Sequence, residues 1–192
     1  MKTKILLLGS TGLIGHQVYN YLRLFDGYTL FNVAYRKKLT DDTVLLDIRN
    51  EQKLDELIFE IKPDYIINCV GILIDGAKND PENAIFLNSY MPHHLEKIAN
   101  QIDAKLIHIS TDCVFSGKRG QYLENDEKDG SGTYAKTKAL GEIVNDKHLT
   151  LRTSVVGPEL KKDGEELFHW FMQQEGNIKG YTKAIWLCDT NL

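Results

Sequence analysis

A glycine-rich turn behind the first apolar segment constrains the fold of this chain more than any other feature. The run Ile5-Leu6-Leu7-Leu8 is continuously apolar, which is typical of a strand buried on both faces of a parallel sheet. The turn Gly9-Ser10-Thr11-Gly12-Leu13-Ile14-Gly15 follows it and opens a segment with the spacing of an amphipathic helix. Glycines in such a turn let the backbone approach a pyrophosphate, and the helix N-terminus supplies N–H groups and a positive dipole. We therefore predict a dinucleotide site at Gly9, Thr11, Gly12, Leu13, Ile14 and Gly15; a turn used only for packing is the alternative.

Short apolar runs alternate with amphipathic stretches through residue 153, which predicts βα units around a parallel sheet. The fold class is therefore α/β, a Rossmann-type doubly wound parallel sheet. Ser116 to Gly132 is a polar loop long enough to be functional. Further strands are predicted at Tyr28–Tyr35, Val44–Asp47, Tyr65–Val70, Leu106–Ser110 and Leu149–Thr153. Helices are predicted over Leu13–Phe25, from the N-cap Asn50 to Ile61, from Pro81 to Ile98 with a kink at Pro92, and over Thr133–Asn145.

Two parts are expected along the chain. Residues 1–153 complete a nucleotide-binding domain, and residues 154–192 begin a substrate-binding part. In the second part, Glu165 to Gln174 is predicted as a helix and Ile178 to Trp186 as a strand region.

Composition excludes several classes of protein. With 42% hydrophobic and 26% charged residues, the 192-residue chain is too apolar to be disordered. Its formal net charge of -4 argues against a nucleic-acid binder, and the first apolar run is far shorter than the roughly 20 residues that a membrane span needs. Cys69, Cys113 and Cys188 form no CxxC pair, and the six histidines show no ligand spacing, so we expect reduced thiols, no metal site and a cytoplasmic protein.

Basic residues stand where an NAD-type site would place an acid, about 20 residues beyond the last glycine of the turn. The segment is Tyr35-Arg36-Lys37-Lys38, and cationic side chains there would attract a 2′-phosphate. We therefore predict NADPH, with Arg36 as its contact and NADH as the alternative. Asp47 and Ile48 follow the third strand and are placed to border the adenine; the alternative is an acid in a turn.

Tyr134 and Lys138 are four residues apart on a predicted helix, so they lie on the same helical face. An ammonium beside a tyrosine favours the phenolate and makes the hydroxyl usable in acid–base chemistry. Ser110 and Thr111 end the fifth strand, at the edge where open α/β sheets bind ligands. A hydroxyl there is placed to hold a substrate oxygen.

Several segments together resemble the extended short-chain dehydrogenase/reductase family and, in its nucleotide-sugar branch, the dTDP-4-dehydrorhamnose reductases. They are Ser110 to Gly117, Gly120 to Tyr122, Tyr134 to Lys138, and Gly141-Glu142. The glycine turn and the Tyr-Lys pair are shared widely, whereas the block from Ser110 to Gly117 with Tyr122 and Glu124 is more specific. The resemblance covers nearly the whole chain, but Cys113 stands where a tyrosine is usual, which leaves the sugar open.

The resemblance implies roles for individual residues. The catalytic set is Thr111, Tyr134 and Lys138. The further residues lining the cofactor are Cys69, Val70, Gly71, Asn88 and Val155, and those near the substrate are Ser110, Asp112 and Cys113. Mg²⁺ enters as an expectation from the resemblance alone, and a homodimer is one open state of assembly.

The activity that the resemblance implies is NADPH-dependent reduction of the 4-keto group of a nucleotide-linked 6-deoxysugar, feeding polysaccharide synthesis. One alternative is an epimerase or dehydratase with tightly bound NAD, and another is a non-catalytic, cofactor-binding regulatory subunit. Since the family continues well past residue 192, we expect only the beginning of its substrate-binding domain.

Overall fold

Six parallel strands form one sheet in the order β3-β2-β1-β4-β5-β6 in the computed structural model, which describes residues 2–161 and 167–178. The order reverses between β1 and β4, which is the topological switch point where open α/β sheets bind ligands. The predicted doubly wound parallel sheet is confirmed. The strands are β1 (Thr3–Leu8), β2 (Tyr28–Ala34), β3 (Val44–Leu45), β4 (Tyr65–Asn68), β5 (Lys105–Thr111) and β6 (Leu149–Thr153).

The helices cover both faces of this sheet. The α-helices are α1 (Leu13–Leu22), α2 (Glu51–Ile61), α3 (Ile74–Asn79), α4 (Pro81–Ala84), α5 (Met91–Gln101), α6 (Gly132–Leu140) and α7 (Leu167–Met172). A π-helical segment, Ile85–Tyr90, joins α4 to α5, and a short 3-10 helix, Asp112–Val114, follows β5.

Strand β1 is apolar from Ile5 to Leu8 because each of its faces meets a different helical layer. Leu6 and Leu8 belong to the larger core cluster, which includes residues of α2 and α5. Ile5 and Leu7 belong to a second cluster, which packs against α1 through Val18 and Leu22. Fully burying one such side chain contributes about 1.5–3 kcal/mol to folding, so the central strand anchors the carboxyl edge where the site lies.

Several predicted boundaries were wrong. Helix α1 ends at Leu22 rather than Phe25, β3 ends at Leu45 rather than Asp47, and β4 ends at Asn68 rather than Val70. The six-residue helix α3 was not predicted. Helix α6 ends at Leu140 rather than Asn145 because Gly141 lies against the π-helical segment, where a Cβ would stand 1.9 Å from the Asn88 carbonyl oxygen.

A kink was predicted at Pro92, and the helix departs from α-helical geometry in the residues just before that proline. Proline has no N–H to donate one turn back, and the chain there forms the π-helical segment, whose C-cap N–H of Met91 donates to the Phe86 carbonyl. The predicted helix over Glu165–Gln174 is represented by α7 within the described residues. The predicted strand region from Ile178 to Trp186 lies, beyond Ile178, outside the described residues, as does Cys188.

Candidate active site

The glycine turn is a tight backbone crossing with no room for side chains. A Cβ on Gly15 would lie 2.1 Å from the Gly9 carbonyl oxygen, and one on Gly9 would lie 3.0 Å from Val70 Cγ2. Gly9 has a φ of 82°, in the left-handed region that favours glycine. The Gly12 N–H donates to the Gly9 carbonyl at 3.0 Å and closes the turn. The predicted strand-to-helix turn is therefore present, and its close approaches require glycine at Gly9 and Gly15.

Helix α1 begins at Leu13 directly after this turn, with Gly12 as an N-cap that supplies no side-chain hydrogen bond. Its first N–H groups and the positive end of its dipole are thus presented at the carboxyl edge of the sheet, which is the chemistry that holds a pyrophosphate. Two contacts fix the turn around it: Ser10 Oγ donates to Asn32 Oδ1 at 2.9 Å in a buried bond, and His16 Nδ1 lies 2.8 Å from the Gly12 carbonyl oxygen. The phosphate site predicted from the sequence fits this geometry.

A cluster of charged and aromatic side chains lies at the ends of β2 and β3. The guanidinium carbons of Arg36 and Arg49 lie 4.9 and 5.6 Å from the Tyr35 ring centroid. Arg49 also forms an ion pair with Asp47, at 2.6 Å between Nη2 and Oδ2, and its bonds hold the pKa of Asp47 below the ordinary value. Ile48 is buried in the core. Arg49 was missed from the sequence because it follows β3, outside the segment in which a basic residue was sought.

The segment after β4 connects the glycine turn to the predicted catalytic helix. Val70 packs against Gly9, and a Cβ on Gly71 would lie 3.8 Å from Lys138 Nζ. Burial raises the pKa of the Cys69 thiol to about 12, so this side chain stays a neutral thiol. The residues predicted to line a cofactor from β1 and from β4 therefore meet along one edge.

Asn88 binds two parts of this edge together and is fully buried. Its Oδ1 accepts from the Ile72 N–H at 2.8 Å, and its Nδ2 donates to the Ile72 carbonyl at 3.0 Å and to Thr137 Oγ1 at 3.2 Å. The side chain thus fixes the loop after β4 against α6. Its Oδ1 lies close to Gly71, and its bonds are to the protein's own backbone and helix.

Lys138 and Tyr134 both lie on α6, one turn apart. The Lys138 side chain is buried, and its Nζ donates to the Ile109 carbonyl of β5 at 2.7 Å. Burial lowers the pKa of Lys138 from 10.5 to about 8, with the Glu142 carboxylate acting in the opposite direction. At pH 7 the group is therefore mostly protonated, and its charge lies beside the end of β5.

Thr111 ends β5 and is buried. Its hydroxyl donates to Asp112 Oδ1 at 3.3 Å and accepts from the Cys113 N–H at 3.2 Å, so it caps the 3-10 helix. Cys113 is exposed, and partial burial by its neighbours raises the pKa of its thiol. The structure therefore places Thr111, Asp112 and Cys113 together at the carboxyl end of β5.

Ser110 belongs to a buried ionic cluster that the sequence did not predict. Its Oγ donates to Glu142 Oε1 at 2.8 Å, and the Arg152 guanidinium binds both carboxylate oxygens at 2.8 Å. Lys128 Nζ adds a third contact to Glu142 at 3.1 Å. Burial alone raises the pKa of Glu142, but these bonds outweigh it and lower the pKa below its ordinary value.

The same cluster anchors the long loop after β5. Arg152 Nη1 donates to the Glu124 carbonyl at 3.0 Å, and its guanidinium carbon lies 4.9 Å from the Phe115 ring centroid. Phe115 in turn stacks on Tyr122, with ring centroids 4.5 Å apart. The predicted loop is thus held on α6 and β6 beside the site. Val155, predicted beside the cofactor, is partly exposed just after β6.

No group of three or more His, Cys, Asp or Glu side chains in residues 2–161 and 167–178 is placed to hold a metal ion, so the expectation of Mg²⁺ gains no support. Within the same residues, no helix is long and apolar enough to cross a membrane.

The sheet order and the glycine turn give the chain a Rossmann-type α/β fold, and its Tyr-Lys helix resembles that of the short-chain dehydrogenase/reductase class. Within this class, the family model described as RmlD substrate binding domain matches residues 3–178, and the chain belongs to that family. The chain is 34% identical over 158 residues to the dTDP-4-dehydrorhamnose reductase of Escherichia coli, which covers 79% of this chain and 51% of that relative. It is also 29% identical over 167 residues to methionine adenosyltransferase 2 subunit beta of Xenopus laevis, covering 84% of this chain and 49% of the relative.

Comparison with solved structures also finds dTDP-4-dehydrorhamnose reductases. A hypothetical dTDP-4-dehydrorhamnose reductase from Sulfolobus tokodaii matches with a TM-score of 0.73 and 27% identity, over 78% of this chain and 55% of the other. The Bacillus anthracis dTDP-4-dehydrorhamnose reductase, solved in complex with NADP, matches with a TM-score of 0.69 and 26% identity, over 79% of this chain and 53% of the other. The chain thus spans about half the length of the relatives it matches.

Proposed function

We propose that this chain is the cofactor-binding part of an NADPH-dependent reductase that acts on the 4-keto group of a nucleotide-linked 6-deoxysugar. The proposed substrate is dTDP-4-dehydrorhamnose or a related dTDP or UDP sugar. Residues 1–153 are proposed as the nucleotide-binding domain and residues 154–192 as the start of the substrate-binding part. The observation that carries the proposal is the buried, protonated Lys138 on α6, one turn from Tyr134 and bonded to β5 two residues before Thr111.

The glycine turn fits the pyrophosphate of NADPH because its crossing excludes side chains and exposes the start of α1. Gly71 and Lys138 would hold the nicotinamide half, since they lie together where β4 and α6 meet. Bound NADPH supplies a hydride for the carbonyl carbon. The structure of the Bacillus anthracis relative with NADP supports this choice of cofactor.

The chain's own residues supply the proton and the orientation of the carbonyl. Tyr134 donates its phenolic proton to the oxygen that becomes an alkoxide, and the charge of Lys138 favours the phenolate that remains. Thr111 exchanges its bond to Asp112 for one to the substrate oxygen, because a hydroxyl can rotate between partners. Each role uses a group at the same sheet edge.

Tyr134→Phe tests the assignment of the proton donor. We expect turnover to fall at least about 100-fold, since general acid catalysis contributes typically 10²–10⁴-fold, while the Kd for NADPH changes less than about twofold. The measurements are NADPH absorbance with a panel of dTDP- and UDP-linked 4-keto sugars, and NADPH fluorescence for binding. Comparable turnover by wild type and variant would show that Tyr134 has another role.

A non-catalytic regulatory subunit is the second candidate function. The similarity to methionine adenosyltransferase 2 subunit beta across 84% of this chain favours it, and so does Cys113 in place of the usual tyrosine. Reduction of any sugar in the panel by this chain would argue against this candidate. Stoichiometric NAD that co-purifies and is not displaced by NADPH would support the epimerase or dehydratase alternative instead.

A further inference from the structure

The ends of the first three strands form a continuous edge that reaches from the glycine turn to Arg49. The N–H groups of Gly9 and Ser10 donate to the Val33 carbonyl of β2 at 2.9 and 3.0 Å. One strand further along, the Leu46 N–H donates to the Ala34 carbonyl at 2.9 Å. A dinucleotide whose pyrophosphate lies on the glycine turn therefore extends its adenosine half toward the residues that follow β2 and β3.

Asp47 is the acid on this edge, and it is already bound by a cation of the protein. Its Oδ1 accepts from the Arg49 backbone N–H and from Nε, both at 3.0 Å, and its Oδ2 accepts from Nη2 at 2.6 Å. A carboxylate held in this way has its charge balanced by the guanidinium. It therefore repels a nearby phosphate less than a free acid would, and it is a weaker acceptor for a ribose hydroxyl.

The same bonds hold the Arg49 guanidinium in one orientation. Its Nη2 also donates to the Tyr35 hydroxyl at 3.2 Å, and the guanidinium lies within 5.6 Å of the Tyr35 ring centroid. The Arg36 guanidinium approaches the same ring at 4.9 Å. Tyr35 thus brings two guanidinium groups, from the ends of two adjacent strands, to one exposed site.

Guanidinium groups suit this position because their planar N–H donors match phosphate oxygens, and the charge does not depend on pH in the working range. Nε and Nη2 of Arg49 are used by Asp47 and Tyr35, and within residues 2–161 and 167–178 no partner is found for Nη1. Nη1 carries two further donors. An anion at the adenosine end can bind these donors without breaking the ion pair to Asp47.

We propose that Arg49 is a specificity-determining residue, which together with Arg36 binds the 2′-phosphate of NADP(H), while Asp47 is the positioning residue that orients Arg49. The proposal rests on the proposed dinucleotide site and deepens it. Preference for the phosphorylated cofactor then depends on residues that follow two adjacent strands, β2 and β3.

The test measures Kd for NADP⁺ and NAD⁺ with the whole chain by calorimetry, using 2′,5′-ADP and 5′-AMP as smaller probes. Arg49→Ala is expected to weaken NADP⁺ and 2′,5′-ADP about tenfold, the effect of about 1.4 kcal/mol, and not to weaken NAD⁺ or 5′-AMP, because the freed Asp47 carboxylate is a better acceptor for a ribose hydroxyl. Arg49→Lys keeps the charge but not the planar donors, and it should restore only part of the loss. Arg23→Ala removes the same charge just after the far end of α1 and should change none of the four affinities.

The outcomes separate this inference from the proposed function. An NADP⁺ to NAD⁺ affinity ratio in Arg49→Ala that stays within about twofold of wild type overturns the role of Arg49 and leaves the reductase proposal standing. Equal binding of both dinucleotides by wild type also overturns it. Binding of neither by wild type overturns both proposals. Because Arg49 is exposed, the variants should keep wild-type unfolding curves, and a variant that does not is replaced by Arg49→Gln.

Discussion

Replacing Lys138 with methionine should make the protein more stable at neutral pH while removing the charge on which the proposed chemistry depends. Lysine and methionine have similar length, so the aliphatic stem keeps its packing between α6 and β5. The buried charge is lost, and with it the hydrogen bond from Nζ to the Ile109 carbonyl. These two losses act in opposite directions on the free energy of unfolding.

The size of each effect follows from the pKa of Lys138 and from the ordinary net strength of a hydrogen bond. In the folded protein the pKa of Lys138 is about 8, against 10.5 for a free lysine, so the folded state binds this proton less tightly than the unfolded state. At 1.36 kcal/mol for each pKa unit, the charged form opposes folding by about 3 kcal/mol below pH 8. The lost hydrogen bond costs about 1 kcal/mol. The net gain for Lys138→Met is therefore about 2 kcal/mol at pH 7.

The sign of the pH dependence follows from the same pKa values. The penalty on Lys138 is complete below pH 8 and disappears as the pH rises toward 10.5, where the unfolded chain also loses the proton. The advantage of the variant should therefore fall from about 2 kcal/mol at pH 7 to near zero by about pH 10.

Urea unfolding of wild type and variant at pH 7 and pH 10 measures both quantities, and the titration of other groups cancels in the difference. Lys136→Met, on the exposed side of the same helix, is the matched control and should stay within about 0.5 kcal/mol of wild type at both pH values. A Lys138→Met protein less stable than wild type at pH 7, or a difference that does not change with pH, would refute the reasoning.

Two further substitutions test the packing and the ionic cluster. Gly141→Ala places a Cβ 1.9 Å from the Asn88 carbonyl oxygen and should cost about 3 kcal/mol in urea unfolding, whereas Gly27→Ala, with no atom within 4 Å of its Cβ, should be neutral or stabilising by up to about 1 kcal/mol. Equal changes in the free energy of unfolding for the two variants would mean that the backbone at Asn88 shifts at little cost. Arg152→Met leaves Glu142 with fewer partners and should cost about 3 kcal/mol at pH 7. Since the folded pKa of Glu142 lies below its ordinary 4.5, this cost should shrink only as the pH falls below that value; a cost that persists at pH 3 would argue against it.

Local patterns predicted the parallel sheet and the helix that carries Tyr134 and Lys138. The continuous run from Ile5 to Leu8 indicated a strand covered on both faces, and it lies between two helical layers. The spacing of Tyr134 and Lys138 placed both on one helix. These features depend on neighbours within a few residues, which is the range over which a sequence pattern is informative.

The features that were missed depend on residues far apart in the chain. Helix α3 has only six residues and contains Gly76, so no repeat of apolar positions marks it; Ala77 is buried by packing. The early end of α6 follows from the contact between Gly141 and Asn88, which are 53 positions apart, a separation on which helix propensity carries no information. Likewise, the sequence did not predict the buried salt bridge of Glu142 to Arg152, because charged residues usually lie in solvent.

The backbone contact between Gly9 and Gly15 contributes to cofactor recognition in a different way from the exposed arginines. Where two backbones touch without side chains, there are no rotamers to adjust, so a dinucleotide bound as proposed would meet a rigid surface there, with little ordering entropy to lose. Arg36 and Arg49, by contrast, are exposed and outside the core, where substitutions change stability little. In proteins that evolve from such a chain, single mutations would rarely alter the binding of the shared pyrophosphate. They would more readily alter the preference between NADP(H) and NAD(H).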